Sequence, residues 1–407
     1  MSLAHNPRIV TNGLTFAYDM GPNPGVNKSW KGKPTTNYLN GSTSSTYPNA
    51  FQSNSWVGTT TEVGVSKFNT NILQWDSSSG SYTYTRDQIL DDDLGTLSNQ
   101  TVTFSMYIRR LEGAATGRIR VYDNSSSYSY QSISVTPQFQ RVEMTKTLGA
   151  NPTRIFVMLD NSGGGTYQFH SPQLEISSFA TPFAYSSRSN TESLLDWTGN
   201  NTITADSLTY NSDGSFSFDG SGDVTGNPPG DYISVPENIT KTDLATYPSG
   251  CTYNFWLKVD DDANNRLSVL YGAGTIRHIE IYSSSKSFRT EAATQNNYSF
   301  GAGSFPDDVR GSWSNFSIVF ANNESGRPVR WYQNGSLFHT HSSMESGSGG
   351  TSEYFSFNAI GRATGSTTYT YAKSFKGQIP IFQIYNKSLT SQEIKQNYNA
   401  LRGRFGI

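Results

Sequence analysis

Three tyrosine pairs share one spacing: Tyr82-Thr83-Tyr84, Tyr128-Ser129-Tyr130 and Tyr369-Thr370-Tyr371. Residues two apart on an extended strand face the same side, so each pair would set two phenol rings together. A ring flanked by hydroxyls and amides is a platform on which a sugar's C–H face can stack. The plainer reading is half-buried sheet surface, because Tyr is common in strands. The six tyrosines Tyr82, Tyr84, Tyr128, Tyr130, Tyr369 and Tyr371 are the candidate sugar contacts. Trp56, Trp75 and Trp197 carry suitable rings but read as core.

Other residue types offer metal chemistry. His339-Thr340-His341 would project two imidazoles from one strand face, a pair able to hold iron or zinc. Two exposed histidines without a role are the plainer reading. Asp260-Asp261-Asp262 and Asp91-Asp92-Asp93 read as solvated turns. Asp260 and Asp262 could still supply oxygens to calcium, which takes six to eight of them. No cofactor is required; calcium is the ion these loops could accept.

Catalytic patterns are weak. Glycoside hydrolysis needs two carboxyl groups about 5–10 Å apart. No Glu-x-Asp-x-Glu strand supplies them, and neighbours within an Asp run point to opposite faces. Five histidines and no Gly-x-Ser-x-Gly turn leave little for a serine nucleophile. The expectation is a protein that is not an enzyme.

The elements that must position these groups are mostly strands. Val102–Ile108, Arg118–Tyr122, Thr252–Lys258 and Ser314–Phe320 alternate apolar and polar residues, which predicts one face in a core and one face wet. Ser77–Gly80, Asn161–Gly165 and Ser346–Gly350 predict loops between strands. One confident helix lies at the C-terminus. Thr390-Ser391-Gln392-Glu393 is a capping box, Ile394, Tyr398 and Leu401 form a stripe, and Gly403 is the expected stop. Such a short helix must lie on a sheet.

Composition narrows the class. The 407 residues predict two or three domains. Only 34% are hydrophobic and 15% charged, while 13% are aromatic and net charge is −2, which excludes an unfolded chain. No basic stripe suggests nucleic acid, and no run of about 18 apolar residues suggests membrane insertion. The single Cys251 excludes an internal disulfide framework. Residues 1–7 lack the pattern of a secretion signal, so synthesis in a cytoplasm is expected.

Three stretches resemble the concanavalin A-like lectin/glucanase, or laminin-G-like, superfamily, in the version found in virion proteins of tailed bacteriophages. They are Gly13–Met20 with Lys28–Gly32, then Ser215–Gly220 with Asp231–Pro236, and Phe375–Leu389 running into the helix and on to Gly406. Trp331–Leu337 is similar to the family's hairpin, with Asn334-Gly335 at the turn. Within residues 39–187, Ser171–Phe183 resembles a carbohydrate-binding-module jelly roll, with Thr103–Ile108 and Phe139–Glu143 as middle strands.

The resemblance implies an all-β chain of two antiparallel sandwich domains and one short C-terminal helix. Because the family pairs first strand with last, residues 1–38 and 188–407 are expected to form one discontinuous lectin-like domain, with 39–187 inserted. Three consecutive units are the alternative. The implied role is a virion structural protein, in a tail fibre, tail-associated or decorating the capsid, that binds host surface polysaccharide. Its partners would be other virion proteins and further copies of itself. Alternatives are a cement or spacer subunit and a polysaccharide depolymerase. The resemblance assigns no ligand residue.

Overall fold

A computed structural model describes residues 8–21, 29, 31–39, 59–88, 91–124, 129–211, 215–221, 231–242, 246–263, 266–272, 277–282, 286–291, 304–342, 355–362 and 374–407. The protein is all-β, built from antiparallel sheets with a short C-terminal helix. It folds as two compact units: Met1–Lys31 with Asn190–Ile407, and Gly32–Ser189.

In the discontinuous unit an eight-stranded sheet and a six-stranded sheet enclose one core. Strand Cys251–Val259 shows how the sequence builds it. Cys251, Tyr253, Phe255, Leu257 and Val259 point into the core, fully buried. Thr252, Asn254 and Trp256 point to the other face, as alternation requires. That second face was expected to be wet, and it is not: eight of the nine residues are buried. Strand Ser314–Phe320 is buried throughout as well.

Two coverings explain the difference. Trp256 lies under the C-terminal helix, stacked on Tyr398 at 5.8 Å and on Phe405 at 4.1 Å between ring centroids. Beside it polar side chains bond one another. Asn254 Nδ2 donates to Gln383 Oε1 (2.6 Å), while Asn254 Oδ1 accepts from Asn315 Nδ2 (3.0 Å) and Ser317 Oγ (2.8 Å). Buried polar groups are tolerated when they are hydrogen-bonded in this way.

Strand Leu14–Asp19 pairs antiparallel with Lys376–Tyr385, Leu14 opposite Tyr385 and Asp19 opposite Ile381. Lys376–Tyr385 also pairs with Cys251–Val259. An ion pair reinforces the closure: Arg404 Nη1 and Nη2 donate to Asp19 Oδ2 and Oδ1 at 2.6 and 2.8 Å. The planar fork of arginine suits such a bidentate contact.

The helix spans Ser391–Leu401, and both halves of its capping box are formed by Thr390 and Glu393. Ile394, Asn397 and Leu401 are its buried residues, with Tyr398 half-buried. It does not stop at Gly403. A 3-10 turn, Arg402–Phe405, follows and ends at Gly406, whose φ of 73° is the left-handed conformation that glycine takes without strain. The Asn334-Gly335 hairpin also forms, with φ of 51° and 76° between Gln333 and Ser336.

The continuous unit has its own core, including Trp75, Phe104, Met106, Tyr167 and Phe169. Its two end segments meet, Thr35–Thr36 pairing with Ser187–Arg188. Two of the expected loops are parts of strands. Ser77–Gly80 lies inside Asn71–Gln88, and Asn161–Gly165 lies inside Ile155–Ile176. The glycines mark a bend rather than a break. Gly113 pairs with Gly165, and a Cβ on Gly113 would sit 2.3 Å from the Gly165 Cα. Beyond this bend the long strand changes partners: residues 155–160 pair with Thr116–Asp123, and 165–176 with Thr101–Gly113. Asp91–Asp93 open a helix, Asp91–Leu97, rather than a turn.

The C-terminal helix is held mainly by packing, since a helix of this length is marginal alone. Phe405→Ala should therefore cost about 3–5 kcal/mol. Thr390→Ala, which removes only the cap, should cost about 1 kcal/mol. Denaturant unfolding of the two variants checks this; equal losses would contradict it.

Candidate functional site

Strand Thr116–Asp123 buries every second residue. Gly117, Ile119 and Val121 face the core, so Arg118 and Arg120 must face outward. Strand Ser129–Ser134 lies beside it with Tyr130 opposite Arg120, Ser132 opposite Arg118 and Ser134 opposite Thr116. On its other side Asp160 stands opposite Arg118, and Met158 opposite Arg120. Residues directly opposite share a sheet face. Three strands thus bring hydroxyls, two guanidinium groups, a carboxylate and an aromatic ring to one surface. Tyr122 and Phe156 extend it, stacked at 6.1 Å.

The surface is an open groove of about 520 Å³ lined by Arg118, Tyr130, Ser132, Ser134, Asp160 and Asn161 among others. Asp160 is its buried anchor, only 2% exposed. Arg118 Nε donates to Asp160 Oδ1 at 2.7 Å, and Arg120 Nε pairs with Oδ2. Both guanidinium groups lie against the Tyr130 ring, 5.0 and 5.8 Å from its centroid. Such contacts contribute about 0.5–1 kcal/mol each at an exposed site and hold the ring in place. The ring remains available, because Tyr130 is 57% exposed. Asn161 is fixed from behind: its Oδ1 accepts from Gly163 N at 2.6 Å, and its amide contacts the Tyr167 hydroxyl, which donates to Ala114 O at 2.6 Å.

This arrangement suits binding better than bond cleavage. Asp160 is the one carboxylate among the described lining residues, and two arginines hold it. Both of its oxygens are occupied by guanidinium groups. Hydrolysis of a glycosidic bond would need a second carboxyl group beside it.

The other sugar candidates are placed differently. By backbone register Tyr84 stands opposite Asp160, in the same row as Arg118 and Ser132. Tyr82 lies in the same strand, Asn71–Gln88. Tyr128, Tyr369 and Tyr371 lie outside the described residues, as does Trp56. Trp75 is core and Trp197 is half-buried.

The metal candidates have other partners. Arg310 donates to the carbonyl oxygens of Asp261 (2.6 Å), Ala263 (2.9 Å) and Asp260 (3.4 Å). The oxygens that could have turned toward calcium face a guanidinium instead. Asp262 pairs with Lys376 Nζ at 2.5 Å, and this hydrogen bond lowers its carboxyl below the ordinary range. His339 and His341 are half-buried opposite Trp331 and Val329. Among the described residues, no three His, Cys, Asp or Glu side chains gather for a metal.

Sequence reasoning missed Arg118, Arg120, Asp160 and Asn161. The Arg-x-Arg spacing on an alternating strand was the available signal. It also missed a close carboxyl pair. Burial pushes Asp231 up to about 7, its Oδ2 accepts from Asp219 N at 2.7 Å, and the Asp219 carboxyl raises it further. Carboxyl groups in hydrogen-bond contact are too close to flank a glycosidic bond. On the continuous unit, His170 is buried beneath Tyr107 and Phe139, at 5.0 and 4.7 Å between centroids. Burial, then Lys67 and Arg109, lower it to about 4.

Residues 225–395 match the family model of the Concanavalin A-like lectin/glucanases superfamily, under half of the chain. Solved structures with some similarity to the chain include the botulinum neurotoxin type G receptor binding domain, 14% identical with a TM-score of 0.33 over 50% of this chain and 48% of that one. The binding domain of botulinum neurotoxin DC in complex with SialylT is 15% identical, TM-score 0.36, over 53% and 50%. A Trypanosoma rangeli sialidase mutant displaying trans-sialidase activity is 14% identical, TM-score 0.34, over 52% and 31%. The chain spans about half the length of the first of these structures. Similarity at this level bears on neither ligand nor activity. No curated protein matches.

Two outcomes follow from the geometry. Asp160→Ala leaves two guanidinium groups without their shared counter-charge. It should cost about 2–3 kcal/mol, less than in a fully buried pair because the arginines reach solvent; a loss below about 0.5 kcal/mol in denaturant unfolding would contradict the anchor role. His170 has a folded pKa below its unfolded 6.5, so the unfolded chain binds more protons between pH 6.5 and about 4. The stabilising contribution is present above pH 6.5 and is lost as pH falls through that window. Wild type minus His170→Gln, melted across it, should show this slope; parallel curves would contradict it.

Proposed function

We propose that this chain is a non-catalytic, lectin-like protein that binds glycans in the groove around Tyr130. The observation carrying this reading is the exposed Tyr130 ring set beside Arg118, Arg120, Ser132 and a buried Asp160. The ring offers a stacking face, and the planar polar groups can read hydroxyls. The superfamily match of residues 225–395 is consistent with recognition, although it lies outside the groove. In this reading residues 39–187 act as an inserted carbohydrate-binding jelly roll, and 1–38 with 188–407 as the lectin-like domain.

The biological setting belongs to the same proposal. The motifs at Phe375–Gly406 support a component of a tailed-phage particle, on the tail or the capsid, present as a homo-oligomer and facing host polysaccharide. Weak single sites would then be strengthened by copy number. One observation favours the cement or spacer alternative: Val63 and Val65, on strand Thr59–Val65, are 46% and 60% exposed and could dock another virion protein.

A glycan array followed by calorimetry tests the reading. Tyr130→Ala should weaken binding about tenfold, roughly 1.4 kcal/mol, while costing no more than about 1–2 kcal/mol of stability from its two contacts with the arginines. Glycan binding indifferent to Tyr130 would remove the groove from the account, and no glycan binding would favour the cement role.

A further inference from the structure

We propose that Lys146 and Asp123 join through a spontaneous amide bond, a covalent staple inside the continuous unit. The alternation of two strands sets the pair up. Gln140–Thr147 turns Val142, Met144 and Lys146 inward, and Thr116–Asp123 turns Ile119, Val121 and Asp123 inward. A lysine and an aspartate thus continue two rows of core residues. Asp123 is fully buried and Lys146 only 7% exposed. Lys146 Nζ lies 3.6 Å from Asp123 Oδ2 and donates to the Val121 carbonyl at 3.4 Å. Gly149 N donates to the same Asp123 oxygen at 3.1 Å. The amine is held beside the carboxyl, and a backbone donor polarises that carboxyl.

An ion pair taken out of water has a desolvation cost that its own attraction often fails to offset. Moving one proton from Nζ to the carboxylate removes both charges. Burial favours this, lowering the Lys146 amine below the ordinary lysine range against the pull of Asp123. A neutral, desolvated lysine amine is a nucleophile. Nζ attacks Cγ and the Nζ–Cγ bond forms, with the Gly149 N–H holding the developing charge on Oδ2. A second Nζ proton passes to the Oδ1 hydroxyl, the Cγ–Oδ1 bond breaks and one water leaves. No oxidant or outside reagent enters, and the fixed placement of the two groups supplies the rate that free amine and acid lack. The amide would tie strands with separate ladder partners: Gln140–Thr147 pairs with Thr101–Gly113, and Thr116–Asp123 with Ser129–Ser134 and Ile155–Ile176. It would serve as a disulfide does, in a chain whose single Cys251 cannot form one internally.

Mass spectrometry of the full chain, folded and then digested with trypsin, tests the bond. Trypsin should fail to cut after Lys146, and residues 121–141 should appear joined to 142–154, lighter than the two peptides together by one water. Fragmentation should place the junction at Asp123 and Lys146. Lys146→Arg should abolish the joined species and return the missing water to the intact mass. Separate peptides 121–141 and 142–146 from the folded chain, with cleavage after Lys146, overturn the proposal. So does a peptide 121–141 that lacks one water but is joined to nothing, as an internal succinimide at Asp123 would give. If Lys146→Arg fails to fold, the peptide map of the unaltered chain still decides the question.

Discussion

The discontinuous unit depends on one ladder, the pairing of Leu14–Asp19 with Lys376–Tyr385. The two strands are separated by most of the chain, and bringing them together has a chain-entropy cost that local hydrogen bonds alone offset poorly. The closure is therefore reinforced at several points. Tyr18 donates from its hydroxyl to the Ile379 carbonyl, Arg404 grips Asp19, and Asn397 on the helix accepts from Val10 N. These contacts also explain why the C-terminal helix lies where it does. It covers Trp256 and anchors the segment leading into the first strand.

A second constraint is composition. With 34% hydrophobic residues, the chain cannot cover both faces of its central strands with apolar side chains. It buries polar ones in matched sets instead, as with Asn254, Gln383, Asn315 and Ser317. The continuous unit repeats the device around Glu175, which is fully buried and accepts from Thr35, Gln173 and Thr181. Removing one member of a set would leave its buried partners unpaired, which costs more than an exposed hydrogen bond is worth.

Local chemistry was the legible part of the sequence. The Thr390–Glu393 capping box and the Asn334-Gly335 turn depend on neighbouring residues alone, and both formed. Strand alternation at Thr116–Asp123 was legible for the same reason. What depended on distant partners was not. The wet faces assigned to Val102–Ile108 and Thr252–Lys258 are covered by segments far along the chain. Gly163, Gly164 and Gly165 read as a loop because glycine signals a turn, yet here they lie within one long strand that changes partners along its length. Of the candidate site, Tyr130 was visible through its spacing. Asp160 was not, since nothing local distinguishes a carboxylate that two arginines across the ladder will bury.

The groove joins these themes. A buried carboxylate fixes two arginines, the arginines fix a ring, and the ring stays open to solvent. The central claim is that this surface receives a sugar. A structure of the full chain with a bound oligosaccharide tests it most directly. The account predicts a sugar ring stacked on Tyr130, with its hydroxyls within hydrogen-bond distance of the polar groups lining the groove. A sugar seated elsewhere on either unit, with the Tyr130 groove empty, would contradict it.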